Sequence, residues 1–273
     1  MPRFAANIST MFTERPFAER IQAAAAAGFD AVECQFPYEI AADELKRYLA
    51  DAGVELILLN TAPGDFAAGE RGLAGVPGRE ADFRSALERA LEYAQALNCP
   101  QIHVMAGIKP EGVSRDACLE VYKANLRSAA EACRRAGRLA LIEPINTRDI
   151  PGYLLNTPAE GAAIIAELGA PNLMLQFDFY HAQIMTGDLA RSFQRQLPII
   201  GHVQVAGVPE RHEPDVGEIN YPYLFDLMDR VGYAGWVGCE YVPAGSAEEG
   251  LGWAYRYGVA PKSTILATGG ERV

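Results

Sequence analysis

Residues Ile199–Gly207 read IIGHVQVAG. The run has the apolar content of a buried strand, yet His202 and Gln204 stand two residues apart and therefore share one face. A buried strand with a polar face fits the interior of a parallel barrel. An amphipathic stretch, 223–231, follows, and then a second apolar run, 236–240. Strand, helix and parallel strand make a βαβ unit, whose crossover is right-handed.

Worked outward, the same alternation covers the chain. Apolar runs at 4–8, 31–33, 56–60, 101–106, 139–143, 173–178, 200–205 and 236–240 predict strands. Helical patterns fall at 16–27, 43–52, 82–97, 114–136, 157–168, 223–231 and 246–257. Gly28, Gly53 and Gly137 stand at C-terminal stops, and Thr157 with Glu160 reads as a capping box. Strand–helix units repeated in this way over about 250 residues predict a single (β/α)8 TIM barrel. The barrel spans 1–258, and the tail 259–273, without periodicity, is expected to be peripheral or disordered. An open doubly wound sheet is the alternative, weakened by the lack of a G-x-G-x-x-G turn after the first strand. The longest loop, 61–80, is rich in Gly and Pro and reads as a lid or pocket wall.

The 273 residues are 49% hydrophobic and 22% charged, enough for one large core. A net charge of -11 disfavours nucleic-acid and anionic-membrane partners. Five scattered cysteines without a C-x-x-C pair argue against disulfides or a zinc site and for a reducing, cytoplasmic setting. The first residues lack a signal-peptide pattern, and no apolar run is long enough for a bilayer. A homo-oligomer is left open.

Each strand delivers a polar residue near its C-terminal end: Asn7, Glu33, Asn60, His103, Glu143, Asp178, Gln204 and Glu240. In a barrel these ends form one ring, where active sites sit. Carboxylates converging there without a cation would raise one another's pKa values, and a divalent cation removes the conflict. Glu143, Asp178, Gln204 and Glu240 form an all-oxygen set suited to Mg²⁺ or Mn²⁺, with Ca²⁺ also compatible, rather than to zinc.

The stretches LIEPIN (141–146), QFDFYHAQ (176–183), GHVQVAGVPERHEPDVGEINY (201–221) and GWVGCEY (235–241) resemble the hydroxypyruvate isomerase family. FAANIS near the start and GERGLAGVPGRE (69–80) resemble it too. That family sits among the xylose isomerase-like barrels and includes 2-oxo-tetronate isomerases. MPRFAANIS, NTAPGD (60–65) and HVMAG (103–107) are similar to the oxo-tetronate branch, and EPINTRDIPG (143–152) to the hydroxypyruvate branch. The resemblance implies Glu143 and Glu240 as the acid/base pair and Glu143, Asp178, Gln204 and Glu240 as metal ligands. Related sugar epimerases carry a histidine where this chain has Gln204. The implied reaction moves a carbonyl between adjacent carbons of a small hydroxy-oxo acid through an enediolate.

An anionic sugar-acid substrate in so acidic a protein needs a local cation. Arg211 is the candidate, because a guanidinium holds a carboxylate in a bidentate fork, with His212 beside it assisting. His181, three residues after Asp178, either touches a substrate hydroxyl or orients Asp178. His103 reads as a core histidine, and Asp215 and Glu218 as organisers of the next helix start. The competing readings are a sugar epimerase on the same barrel, a non-catalytic sugar-acid-binding barrel, and a metal-dependent DNA-repair nuclease. The charge and the four histidines disfavour the last.

Overall fold

A computed structural model describes residues 1–262. Eight strands pair in parallel in chain order: β1 (Arg3–Asn7), β2 (Ala31–Cys34), β3 (Glu55–Asn60), β4 (Gln101–His103), β5 (Leu139–Ile142), β6 (Leu173–Asp178), β7 (Ile200–Val205) and β8 (Trp236–Cys239). β8 pairs back onto β1, so the barrel closes. The helices between them are α1 (Phe17–Ala26), α2 (Ala42–Ala52), α3 (Glu80–Ala96), α4 (Arg115–Arg135), α5 (Pro158–Leu168), α6 (Phe179–Met185), α7 (Leu189–Gln196) and α8 (Tyr221–Val231). The single (β/α)8 barrel predicted from the alternation is what forms.

The helices bury the face that the sequence pattern marks. Leu45 and Leu49, one turn apart on α2, are both buried. Each contributes about 1.5–3 kcal/mol of apolar burial. On α5 the capping box forms as expected: Thr157 Oγ1 accepts the Glu160 N–H, and the Glu160 carboxylate accepts the Thr157 N–H. The five cysteines are free and buried. Among the described residues, no helix is long and apolar enough to cross a membrane.

Three segments depart from the sequence reading. Between β6 and β7, where the patterning picks out no helix, the chain forms α6 and α7, of 7 and 8 residues. Both are too short to display a helical repeat. β4 stops at His103 rather than Ala106. The apolar residues that follow turn to pair with the long loop: Gly72 bridges Ala106, and the Gly75 N–H donates to the Ala106 carbonyl. The expected last helix is instead a 3-10 helix, Glu249–Tyr257, in a stretch where Gly250 and Gly252 weaken the α conformation. Of the predicted tail, Val259 is buried and the Lys262 N–H donates to the Ala26 carbonyl at the end of α1. The rest of that tail, 263–273, lies outside the described residues.

Alternate residues of each strand face the barrel interior, which is layered along its axis. A small apolar cluster of Ala5, Ala31, Ile57, Leu58 and Leu141 forms the floor, with Met174 and Trp236 against it. Two residues further along the strands come Gln176 and Gly238, and two further again Asp178 and Glu240. The interior thus runs from apolar to amide to acid towards the C-terminal ends of the strands.

Candidate active site

The middle layer is a hydrogen-bond network centred on Glu33. Its Oε1 accepts from Asn7 Nδ2 at 2.9 Å and from Gln204 Nε2 at 2.7 Å, and its Oε2 accepts from His202 Nε2 at 2.6 Å. Gln204 Oε1 in turn accepts from Gln176 Nε2 at 2.6 Å. Gly238 makes room for this arrangement. A Cβ there would sit 2.3 Å from a Glu33 oxygen, so a side chain on that turn of β8 would displace the carboxylate. His202 takes the supporting place below the site that its spacing from Gln204 implies.

Above this layer the strand ends converge. Glu143, Asp178, His181 and Glu240 are all buried, and each offers one ligand atom within 4.8 Å of the others. Burial and the neighbouring Glu240 and Asp178 charges push Glu143 well above the usual carboxylate range. Burial likewise lifts Asp178 to about 7, against the lowering pull of Arg211, and raises Glu240. Glu143 Oε1 and Asp178 Oδ2 are buried with no hydrogen-bond partner. Buried, unpaired carboxylate oxygens carry a steep desolvation cost, and a divalent cation would satisfy them. The donor set therefore fits a hard cation.

His181 plays a different part. The Asn146 backbone N–H donates to its Nδ1 at 3.3 Å, and Asn146 Nδ2 lies 2.6 Å from the same nitrogen. The Asn146 amide is oriented by its own Oδ1, which accepts from the Asp149 N–H. Two donors converge on Nδ1, so a neutral ring carries its proton on Nε2. Burial and the Arg211 charge hold the pKa of His181 well below the usual histidine range, which keeps the ring neutral. Nε2–H faces Glu143 at 3.7 Å and Asp178 at 3.6 Å. In this tautomer His181 is a hydrogen-bond donor to the pocket and has no lone pair for a cation. The carboxylates of Glu143, Asp178 and Glu240 remain to hold one.

Gln204 lies in register with Asp178 on the neighbouring strand, where the sequence reading put a ligand. Its amide is engaged on both sides by Gln176 and Glu33, so ligation through Oε1 requires that oxygen to share or release the Gln176 bond. Glu240 is the most heavily supported acid. Its Oε1 accepts from Asn7 at 3.0 Å and Gln35 at 2.9 Å, and its Oε2 accepts from Arg211 Nη2 at 2.7 Å. Arg211 also stacks on Tyr180, 5.0 Å from the ring centroid. Tyr180 OH donates to Asp149 and accepts from Arg148.

Glu143, His181, Arg211 and Glu240 line a pocket of about 150 Å³ whose walls include Phe36, Phe66, Arg71, Met105, Ile145 and Ile150. Phe66 and Arg71 come from the long 61–80 loop, which supplies the pocket wall expected of it. His103 also lines the pocket, with Nδ1 3.3 Å from a Glu143 oxygen, rather than being a plain core residue. Burial lowers its pKa to about 3, so it too is neutral.

Two expectations are corrected. His212 does not line the pocket: its Nδ1 donates to the Val242 carbonyl at 2.7 Å and braces two loops. Glu218 does not cap α8; Asn220 does, accepting the Tyr223 N–H, while Glu218 accepts from Gln183. Sequence reasoning missed Asn7 and Gln35 as supports of Glu240, and Asn146 as the residue that sets the His181 tautomer. Asn7 alone carried a signal, as a polar strand end.

Residues 21–257 match the family of xylose isomerase-like TIM barrels. A 2-oxo-tetronate isomerase of Cupriavidus necator is 57% identical over 94% of this chain and 99% of its own. A hydroxypyruvate isomerase of Escherichia coli K12 is 44% identical over 94% of this chain and 100% of its own. The solved structure of a Brucella melitensis protein described as an AP endonuclease of family 2 superposes with a TM-score of 0.92. It is 50% identical and covers 94% of this chain and 99% of its own. With relatives this similar over nearly the whole length, the chain belongs to the hydroxypyruvate isomerase family of xylose isomerase-like TIM barrels, a family of isomerase enzymes.

Proposed function

We propose that the protein interconverts the ketone and aldehyde, or 2-oxo and 3-oxo, forms of a three- or four-carbon hydroxy-oxo acid. The candidate reactions are hydroxypyruvate to tartronate semialdehyde and 2-oxo-tetronate to 3-oxo-tetronate. The observation that carries this reading is the pairing of Glu143 and Glu240 in one buried cluster, within reach of a neutral histidine donor.

In hydroxypyruvate the reaction removes a proton from C3, leaves its electron pair in an enediolate, and returns a proton to C2. The hydroxyl proton passes from O3 to O2, which balances the exchange. Glu143 suits the removal step, because its Oε1 faces the cluster with no hydrogen-bond partner and is free to take a proton. Glu240, fixed by Asn7, Gln35 and Arg211, faces the same space and returns the proton or holds the second oxygen. The His181 Nε2–H donates to a substrate oxygen and favours the enediolate over the ketone. A Mg²⁺ or Mn²⁺ ion held by Glu143, Asp178 and Glu240, with Gln204 as the proposed fourth ligand, would supply Lewis-acid stabilisation of the developing negative charge.

The test is a panel of hydroxypyruvate and 2-oxo-tetronate with added Mg²⁺ or Mn²⁺, the products identified by NMR. Formation of the isomer of either acid is the expected outcome, and conversion of neither contradicts the proposal. The Brucella relative's description raises the nuclease reading again. A single carboxylate-rich cluster among the described residues and a net charge of -11 do not favour it. Salt-dependent DNA binding at micromolar protein would restore it.

A further inference from the structure

We infer that Arg71, on the long loop between β3 and α3, is the group that binds the substrate carboxylate. The inference rests on the oxo-acid reading above and names where its charged end goes. Two arginines line the pocket, Arg71 and Arg211. Arg211 is committed. Its Nη2 is bonded to Glu240 Oε2 at 2.7 Å, its Nε to the Glu240 carbonyl at 3.3 Å, and its Nη1 lies 3.9 Å from Asp149. Its charge is balanced by Glu240, so a substrate carboxylate at Arg211 would compete with that pair.

Arg71 has the opposite surroundings. Its Nη1 donates to the backbone carbonyls of Phe66 at 3.0 Å and Glu70 at 2.8 Å. These bonds orient the guanidinium without neutralising it. Among the described residues it makes no ion pair. The neighbouring acid, Glu70, is instead taken by Arg79. The Phe66 ring lies against the guanidinium, 3.8 Å from centroid to Cζ, which fixes its plane. The backbone beneath is fixed as well. Gly72 has a φ of 125° and bridges Ala106, and a Cβ there would meet the Met105 carbonyl at 2.7 Å. Only glycine allows the loop to press this closely onto Met105 and Ala106, just beyond β4, and that contact holds Arg71 beside the pocket.

The electrostatics agree. Glu143 and Glu240 line the pocket and repel a substrate carboxylate, so the acid end must turn away from them. A stacked, oriented and unpaired guanidinium on the pocket wall offers a bidentate fork to it. The carbonyl and hydroxyl end is then left for the glutamates.

The test is calorimetric binding of glycerate, which cannot isomerise, and of its uncharged amide glyceramide, to the Mn²⁺-loaded protein. Arg71→Gln should weaken glycerate about 10–100-fold and leave glyceramide unchanged, and Arg71→Lys should recover part of the loss. In turnover, the same loss should enter through KM rather than kcat. Unchanged glycerate binding in Arg71→Gln overturns the assignment, as does an equal loss for the amide. Selective loss of glycerate in a protein that isomerises neither oxo acid would leave the anchor standing and overturn the isomerase reading.

Discussion

Glu33 and Glu143 are both buried glutamates near the C-terminal ends of barrel strands, yet the barrel treats them in opposite ways. Both oxygens of Glu33 are partnered: Asn7 and Gln204 donate to one and His202 to the other, and Gly238 clears the space. Glu143 lies in the acidic layer above, with Oε1 unpartnered and two further carboxylates close by. The contrast shows how a barrel separates support from chemistry. The satisfied acid holds the amides and the histidine that sit under the pocket. The unsatisfied one remains available to a cation and to a proton.

The strongest way to break this comparison is Glu143→Gln. Turnover of the oxo acid should fall by roughly 10²–10⁴. The melting temperature should stay the same or rise, because a like charge leaves a crowded site. A large loss of stability would place Glu143 with Glu33. Glu33→Gln should behave in the reverse sense, because it removes the charge and sets an amide NH2 against the donors that now meet one of the two oxygens. We expect a loss of about 3 kcal/mol in urea unfolding. Activity should fall only about tenfold, through looser Gln204 and Asn7.

A smaller effect follows from Asp178, whose folded pKa is raised from 3.8 to about 7. In the cation-free protein, folded Asp178 holds a proton that the unfolded chain has already lost. Its contribution is present at low pH and is lost as pH rises through about 4 to 7. Cation binding needs the deprotonated carboxylates, so the thermal shift produced by Mn²⁺ should grow across the same window. A shift independent of pH would remove the cation from this cluster. The least effect belongs to Thr157→Ala at the α5 cap, whose side chain bonds only the Glu160 N–H and neither acid. It should cost about 1 kcal/mol in unfolding and nothing in turnover.

The fold was legible because its signals are repetitive. Strands and amphipathic helices alternate, and glycines and the Thr157–Glu160 box mark where helices end and begin. The segment 179–196 escaped because α6 and α7 are shorter than the repeat that would reveal them. For the site, the polar strand ends named Glu143, Asp178 and Glu240, since closure of a barrel brings strand ends together whatever the loops do. Partners across the barrel were not legible. That Asn7 reaches both Glu33 and Glu240, or that Asn146 fixes the His181 proton, depends on side-chain directions set only once the sheet has closed. Arg211 and Arg71 show the same limit. Both are loop arginines in the sequence, and only the structure shows which one is already paired.

The most direct test of the central claim is solvent deuterium incorporation into hydroxypyruvate and 2-oxo-tetronate by cation-stripped protein, before and after Mn²⁺ is restored. The account predicts exchange at the carbon beside the carbonyl only when Mn²⁺ is present, and none with Glu143→Gln. Equal exchange by the stripped protein, or by Glu143→Gln, would contradict it.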